Sequence, residues 1–240
     1  QIYCDFSGYS DIAIGAAAIF GFKIPLNFNK PFFATSPTNY WKRWHISLST
    51  WVRDYLYFPL AFKHRKSDVV VYSSLMISMV LMGLWHGASW NFLIWGGIHG
   101  IFLATHTILR RRYSRITLHP FFQKNIGKLF SIVITQYLMF FTFIAFRVKD
   151  FDHMLYSMNK YIFIDFATTK TIEIIKENEF AISLMVLFAA LHFISFKQGN
   201  LAEKISKFKL RFWVLFLAVI FLSIALFYVG SAQEFIYFEF

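Results

Sequence analysis

The sequence predicts an all-α integral membrane protein: a multi-pass helical bundle with a re-entrant or broken-helix centre and an amphipathic interfacial helix. Three observations carry this expectation. First, 57% of the 240 residues are hydrophobic and 15% are charged, against roughly a quarter charged in an ordinary soluble domain. A soluble core of this size could not hide so much apolar surface, which includes 32 Phe. Second, residues 69–109 contain no Asp, Glu, Lys or Arg. As helix that run would reach roughly 60 Å, twice the ~30 Å that one pass requires. Third, the basic residues collect in short clusters between apolar runs, as cytoplasmic loops do.

The first apolar segment, residues 12–22, is short. It reads as the end of a span begun upstream or as a buried helix. Residues 23–68 hold eight basic and two acidic residues, a cytoplasmic signature. Pro25, Pro31, Pro37 and Pro59 make the ends of this region irregular. Between them Trp41, Trp44, Leu48, Trp51 and Tyr55 recur at spacings of three and four. That is one face of an amphipathic helix, and its aromatic and basic character suits the membrane interface. Thr38 or Asn39 is the expected cap after Pro37.

Residues 69–109 are long enough for two passes. Gly83, Gly87, Gly96 and Gly97 near the middle favour a two-helix hairpin, or a helix broken inside protein. Three single spans follow, at 129–146, 180–196 and 212–233, each near the length a tilted span needs. Residues 110–128 carry six basic residues and no acid, and 197–211 carry five and one. Both read as cytoplasmic. Residues 147–179 carry five basic and six acidic residues and read as lying outside. Two passes in 69–109 keep this alternation consistent.

Charge and cysteine content narrow the function. The net charge is +11, which in a soluble protein would suggest nucleic acid. Clusters placed between membrane spans instead suit anionic lipid headgroups, so membrane lipids are the expected partner and nucleic acid is not. Cys4 is the single cysteine, so no disulfide or cysteine-based metal cage forms within the chain. The chain opens on Gln1 without a charged n-region or a small-residue cleavage site. It is expected to be a single domain over 1–240, the C-terminal part of a longer protein whose N-terminal helices are missing.

The sharpest chemical feature is Gly83-Leu84-Trp85-His86-Gly87-Ala88-Ser89-Trp90-Asn91. It sets an imidazole deep in an uncharged run, where an ionisable group is costly and functional by default. Gly83, Gly87 and Ala88 remove bulk around it, and Trp85 and Trp90 supply flat walls. Imidazole is well suited to move protons near neutral pH. The alternative is a histidine hydrogen-bonded to a neighbouring helix, with glycines serving helix packing. His45 is a second candidate, or a snorkelling interfacial side chain. His99 and His106, seven apart, share a helix face and read as packing or interfacial residues. His64, His119, His153 and His192 have no suggestive context. The sequence lacks HExxH, a histidine pair at i,i+4, a P-loop and GxGxxG, so no metal and no tightly bound cofactor is expected. Asp5 and Asp11 flank Phe6-Ser7-Gly8-Tyr9-Ser10 and could orient another group or cap a helix.

Taken as a set, these segments resemble the membrane-bound O-acyltransferase family, in its bacterial alginate O-acetyltransferase-like branch. Asp5-Phe6-Ser7-Gly8-Tyr9-Ser10-Asp11-Ile12-Ala13-Ile14-Gly15 is similar to one family signature. Trp41-Lys42-Arg43-Trp44-His45-Ile46-Ser47-Leu48-Ser49 resembles a second, which Trp51-Val52-Arg53-Asp54-Tyr55-Leu56-Tyr57-Phe58-Pro59-Leu60 continues. Leu84-Trp85-His86-Gly87-Ala88-Ser89-Trp90-Asn91 is similar to the segment with the family's catalytic histidine, and residues 235–240 to its usual C-terminus. Ala61-Phe62-Lys63-His64-Arg65 departs from the Gly-Gly-Asn-Arg type loop of the family.

The resemblance implies a ring of membrane helices around a thinner centre, in the plasma membrane. It implies transfer of an acyl group, acetyl in the first instance, to a hydroxyl of a cell-envelope polysaccharide. His86 would be the general base and His45 the second functional histidine. Trp44 and Arg53 would line the donor entry with His45, Trp85 would wall the site, and Asn91 or backbone amides would hold the oxyanion. The co-substrate would be an acyl thioester, acetyl-CoA or an acyl carrier. The acceptor side would involve the polysaccharide or an extracytoplasmic acyl-relay protein. The competing readings are D-alanyl transfer to teichoic acid, a transporter subunit and a non-catalytic scaffold.

Overall fold

The computed structural model describes residues 1–62, 66–117, 119–163, 168–199 and 201–227, and among these it is helical with no strand. The described residues divide into two compact units, one ending at 163 and one beginning at 168.

The first unit opens with α1 (Ile2–Ile19), which contains the whole Asp5–Gly15 signature and starts earlier than the 12–22 segment expected. A short 3₁₀ turn, Pro31–Phe33, leads into α2 (Pro37–Trp41). Then come α3 (Ile46–Trp51), a π-helical turn over Val52–Tyr57, and α4 (Phe58–Ala61). Two long helices follow, α5 (Asp68–His86) and α6 (Trp90–Arg112). Short helices α7 (Ser114–Thr117) and α8 (Pro120–Gln123) lead to α9 (Asn125–Arg147) and α10 (Phe151–Ile162).

The hairpin expected over 69–109 is α5 and α6. The two helices approach backbone to backbone, because side chains are absent where they cross. A Cβ on Gly83 would collide with the Phe92 carbonyl oxygen, and one on Gly96 with the Met79 carbonyl oxygen. At the far end Asp68 accepts from Arg111 (2.9 Å) and Arg112 (3.2 Å). Both ends of the hairpin therefore lie together, as two passes require.

The single amphipathic helix expected over 39–57 is divided. Its N-cap is Ser36, whose hydroxyl accepts from Asn39 N at 3.2 Å, in place of Thr38 or Asn39. The chain turns after Trp41, and His45 takes a left-handed conformation, φ 43° and ψ 55°. Asn27 and Asn29 cause the break. Asn29 N donates to the Arg43 carbonyl and Ile46 N to the Asn27 carbonyl, both at 2.9 Å. The Asn27 side chain accepts from Ser47 N and Oγ. These bonds take groups that an unbroken helix would have paired within itself. The five-residue face splits accordingly. Trp41 and Trp44 are buried, while Trp51 and Tyr55 are exposed.

This segment runs alongside α6. Thr38 Oγ1 lies 2.8 Å from His106 Nδ1, and one turn later Trp41 packs against His99 and Trp95. His106 and Trp95 are eleven residues apart, about 16 Å along the helix axis, so α2 reaches well into the hairpin's length. The core of this unit is aromatic and Met-rich, built from Tyr40, Trp41, Trp44, Met79, Met82, Phe92, Trp95, Met139, Phe146 and Met154. Tyr137 and Tyr161 each donate to the other's carbonyl and tie α9 to α10.

The second unit comprises α11 (Thr168–Glu177), α12 (Glu179–Gln198), α13 (Leu201–Ser206) and α14 (Leu210–Phe227). No residue of α12 is buried. An all-round apolar helix of this kind belongs in hydrocarbon. Four helices in all among the described residues, α5, α6, α9 and α12, are long and apolar enough to cross a membrane. The expected spans 129–146 and 180–196 fall within α9 and α12. The span 212–233 begins in α14, and its end lies outside the described residues, as do residues 63–65 and 235–240.

Candidate functional site

His86 is the last residue of α5, and α6 begins four residues later. The break between them is local chemistry. Gly87 is extended and Ser89 N folds back on the Gly87 carbonyl at 2.9 Å. A Cβ on Gly87 would stand 2.6 Å from the Phe92 ring, so a larger residue there would push Phe92 out from under the turn. The imidazole is half-buried among four aromatic rings. Their centroids lie at 5.0 Å (Trp85), 5.1 Å (Phe146), 5.3 Å (Trp95) and 6.1 Å (Phe92). Trp85 is 63% exposed, so the cage is open on its side, and Trp90, the expected second wall, is 69% exposed at the start of α6.

His45 is held differently. It is buried, its ring set edge-on to Phe6 at 4.6 Å. Burial pushes its imidazole down to about 4, against a smaller upward pull from its own backbone. A left-handed non-glycine residue costs about 1–3 kcal/mol, and the bonds from Asn27 and Asn29 hold it there. Trp44, next to it, is buried and stacks on Tyr40 at 5.5 Å and 17°. Its other neighbours are Tyr3, Phe28 and Phe143.

The two histidines share one aromatic wall. Trp95 touches His86, Trp41 touches Trp95 at 5.9 Å, Tyr40 touches Trp41 at 6.0 Å, and Trp44 stacks on Tyr40. Sequence reasoning missed Trp95, Tyr40 and Phe146 in this wall, and Asn27 behind it. Trp95 had a legible signal: it lies four residues from Asn91 and so on the same helix face.

Two further candidates, Asn91 and Arg53, have polar partners within the chain. The Asn91 side chain is buried. Its amide nitrogen donates to the carbonyls of Val148 (2.6 Å) and Lys149 (3.2 Å). Both amide hydrogens are engaged at the end of α9, so in this arrangement Asn91 clasps α6 to α9 and does not aim a donor at an oxyanion. Arg53 is paired bidentately with its neighbour Asp54, at 2.7 and 3.0 Å. Its guanidinium lies 5.8 Å from the Phe58 ring. About half its side chain is exposed, on the π-helical turn. Among the described residues, no three His, Cys, Asp or Glu side chains group as a metal site.

The profile of the MBOAT, membrane-bound O-acyltransferase family, matches residues 1–148, which takes in α1, the broken segment, the hairpin and α9. Over 120 residues the chain is 50% identical to a "Probable alginate O-acetylase AlgI" of Azotobacter vinelandii, covering 50% of this chain and 24% of that protein. It is 40% identical over 155 residues to a peptidoglycan O-acetyltransferase of Helicobacter pylori, covering 65% and 28%. It is 32% identical over 158 residues to a teichoic acid D-alanyltransferase of Bacillus subtilis, covering 63% and 40%. The matched part of the chain thus spans about a quarter of the length of the first two relatives. With more than half its residues under the family profile and its histidine at the break of a membrane hairpin, the chain belongs to the membrane-bound O-acyltransferase family.

Proposed function

We propose that the protein transfers an acyl group, acetyl in the first instance, from a thioester to a hydroxyl of a cell-envelope polysaccharide. The donor, acetyl-CoA or an acyl carrier, enters from the cytoplasmic side of the plasma membrane. The acceptor meets it from outside, directly or through an extracytoplasmic acyl-relay partner. Nothing need be bound tightly, because both reactants arrive as substrates.

The observation that carries this reading is His86 at the break between two membrane-length helices, walled by aromatic rings and open beside Trp85. As general base, His86 takes the proton of the attacking hydroxyl. The oxygen adds to the thioester carbonyl and the tetrahedral oxyanion forms. With Asn91 engaged at α9, the first-turn amides of α6 are the better donors, since they lack intrahelical partners and carry the positive end of the helix dipole. The C–S bond then breaks, and the imidazolium returns its proton to the leaving thiolate. His45, Trp44 and Arg53 serve the donor side.

The test is transfer of labelled acetyl to envelope polysaccharide by the full-length enzyme in vesicles, wild type against His86→Ala. Wild-type incorporation that the variant loses supports the reading. A variant that keeps more than about a tenth of the turnover removes the general-base role. The D-alanyltransferase relative at 32% identity supports a second reading. Incorporation of labelled D-alanine into teichoic acid in place of acetyl would favour it.

A further inference from the structure

Behind the His86 cage lies a buried histidine that the transfer chemistry above does not use. His99, on α6, is 2% exposed. Its ring sits edge-on between two indoles, Trp95 at 4.6 Å and Trp41 at 5.0 Å, and these touch each other at 5.9 Å. All three side chains are at least nine-tenths buried. Each also carries a nitrogen that is buried without a hydrogen-bond partner among the described residues: Nε1 of Trp41, Nε1 of Trp95 and Nδ1 of His99.

The kinds of atom are informative. An indole N–H only donates, and Nδ1 of a neutral imidazole protonated at Nε2 only accepts. Two donors and one acceptor on three touching rings are the complement of one water molecule. Such a water would accept the indole hydrogens on its oxygen and give one of its own hydrogens to Nδ1. If ring packing were the whole purpose, a phenyl group would supply the same edge-on contacts without burying a polar atom. The neighbours give the polarity a use. Trp95 is also the ring against which His86 lies edge-on, at 5.3 Å and 85°. Trp41 leads through Tyr40 to Trp44, beside His45.

We propose that His99 is a positioning residue for the His86 site, fixing Trp95 and Trp41 through a buried polar hub that one water completes. This rests on the reading of His86 as the base. The hub sets the plane of the indole behind the base and joins the hairpin to the segment that carries the second histidine.

The test compares His99→Phe and His99→Gln in the full-length enzyme, by steady-state transfer and by thermal unfolding in detergent. His99→Phe is expected to lower kcat about tenfold, since small misplacements near a base are felt strongly. The donor KM stays unchanged, because no binding contact is lost. Its unfolding midpoint is expected to fall below wild type although the phenyl fits the ring packing. His99→Gln, which keeps an acceptor, recovers part of both. A His99→Phe enzyme with wild-type kcat and an equal or higher midpoint overturns the proposal, and so does His99→Gln performing no better than His99→Phe. If His99→Phe does not accumulate, Trp41→Phe removes a hub donor from outside the hairpin, and an unchanged kcat there overturns the proposal as well. Should the wild-type enzyme transfer no acyl group, the proposed function fails, and the unfolding midpoints alone still decide the hub.

Discussion

His86 and His45 stand on the same aromatic wall but are built by opposite means. His86 ends a membrane-length helix, in ordinary helical geometry, with one side of its cage open. His45 sits in a left-handed turn, buried, and fixed by asparagines nearly twenty residues away in sequence. A half-open imidazole can meet a substrate and exchange a proton with it. A closed one held neutral by burial is better placed to shape its surroundings. On the proposed function, one titratable residue type would serve two roles, set by backbone context and access.

Replacing His86, the proposed base, should separate the two histidines most sharply. Replacement by Gln keeps a polar side chain of similar reach and removes the base. Turnover should fall by about 10²–10⁴-fold with membrane insertion unchanged. Equal losses from His86→Gln and His45→Gln at saturating donor would mean that both imidazoles take part in the chemical step.

A second test uses pH and addresses His45. In the unfolded chain its imidazole takes a proton near 6.5, whereas in the fold burial holds it neutral down to about 4. Between these values the unfolded state binds the extra proton, so stability falls as pH drops from 6.5 to 4 and is flat outside that window. Holding one proton off the ring costs about 1.4 kcal/mol for each pH unit crossed, so the window is worth at most about 3 kcal/mol. Denaturant unfolding of the detergent-solubilised chain, wild type minus His45→Gln, should isolate this slope from that of the other histidines. A difference that stays constant across the window would show that His45 is solvated.

How much of this is legible in the sequence depends on how local the cause is. The hairpin and the place of His86 follow from a charge-free run too long for one pass and from glycines at its middle. Helices α9 and α12 follow from apolar length alone. The region around His45 misleads because Trp41, Trp44, Leu48, Trp51 and Tyr55 do recur at helical spacing. Only the long-range bonds from Asn27 and Asn29 divide that pattern, and periodicity cannot register them. Asn91 misleads similarly: its partners, the Val148 and Lys149 carbonyls, are 57 and 58 residues away, and backbone carbonyls have no sequence signature. Substitutions that cut such distant ties therefore probe what the sequence alone does not display.

Asn91→Ala is one of these. It removes the clasp between α6 and α9. A cost of about 2 kcal/mol in unfolding is expected. Because Phe146 of α9 walls His86, kcat should fall with it while donor KM holds. Asn91→Asp brings a carboxylate to the same two carbonyls and should be worse than Asn91→Ala. If Asn91→Ala folds as stably as wild type yet loses turnover, the side chain serves the oxyanion after all.

A finer distinction divides the ring of His45 from its backbone. His45→Ala loses both the imidazole and some ease in the left-handed turn, so a kinetic defect in that variant has two causes. His45→Gly loses only the imidazole, because glycine reaches φ 43° without a Cβ penalty. If His45 shapes the donor entry, His45→Gly should raise the donor's apparent KM by about tenfold and leave kcat near wild type, since binding shared by ground and transition states is what is removed. His45→Ala should show the same KM and an additional loss of stability. Donor titrated over about two decades in vesicles separates the outcomes: a His45→Gly enzyme rescued by excess donor keeps His45 on the binding side. A kcat that stays low at saturation moves the second imidazole into proton transfer, with the leaving thiol as the group it would serve.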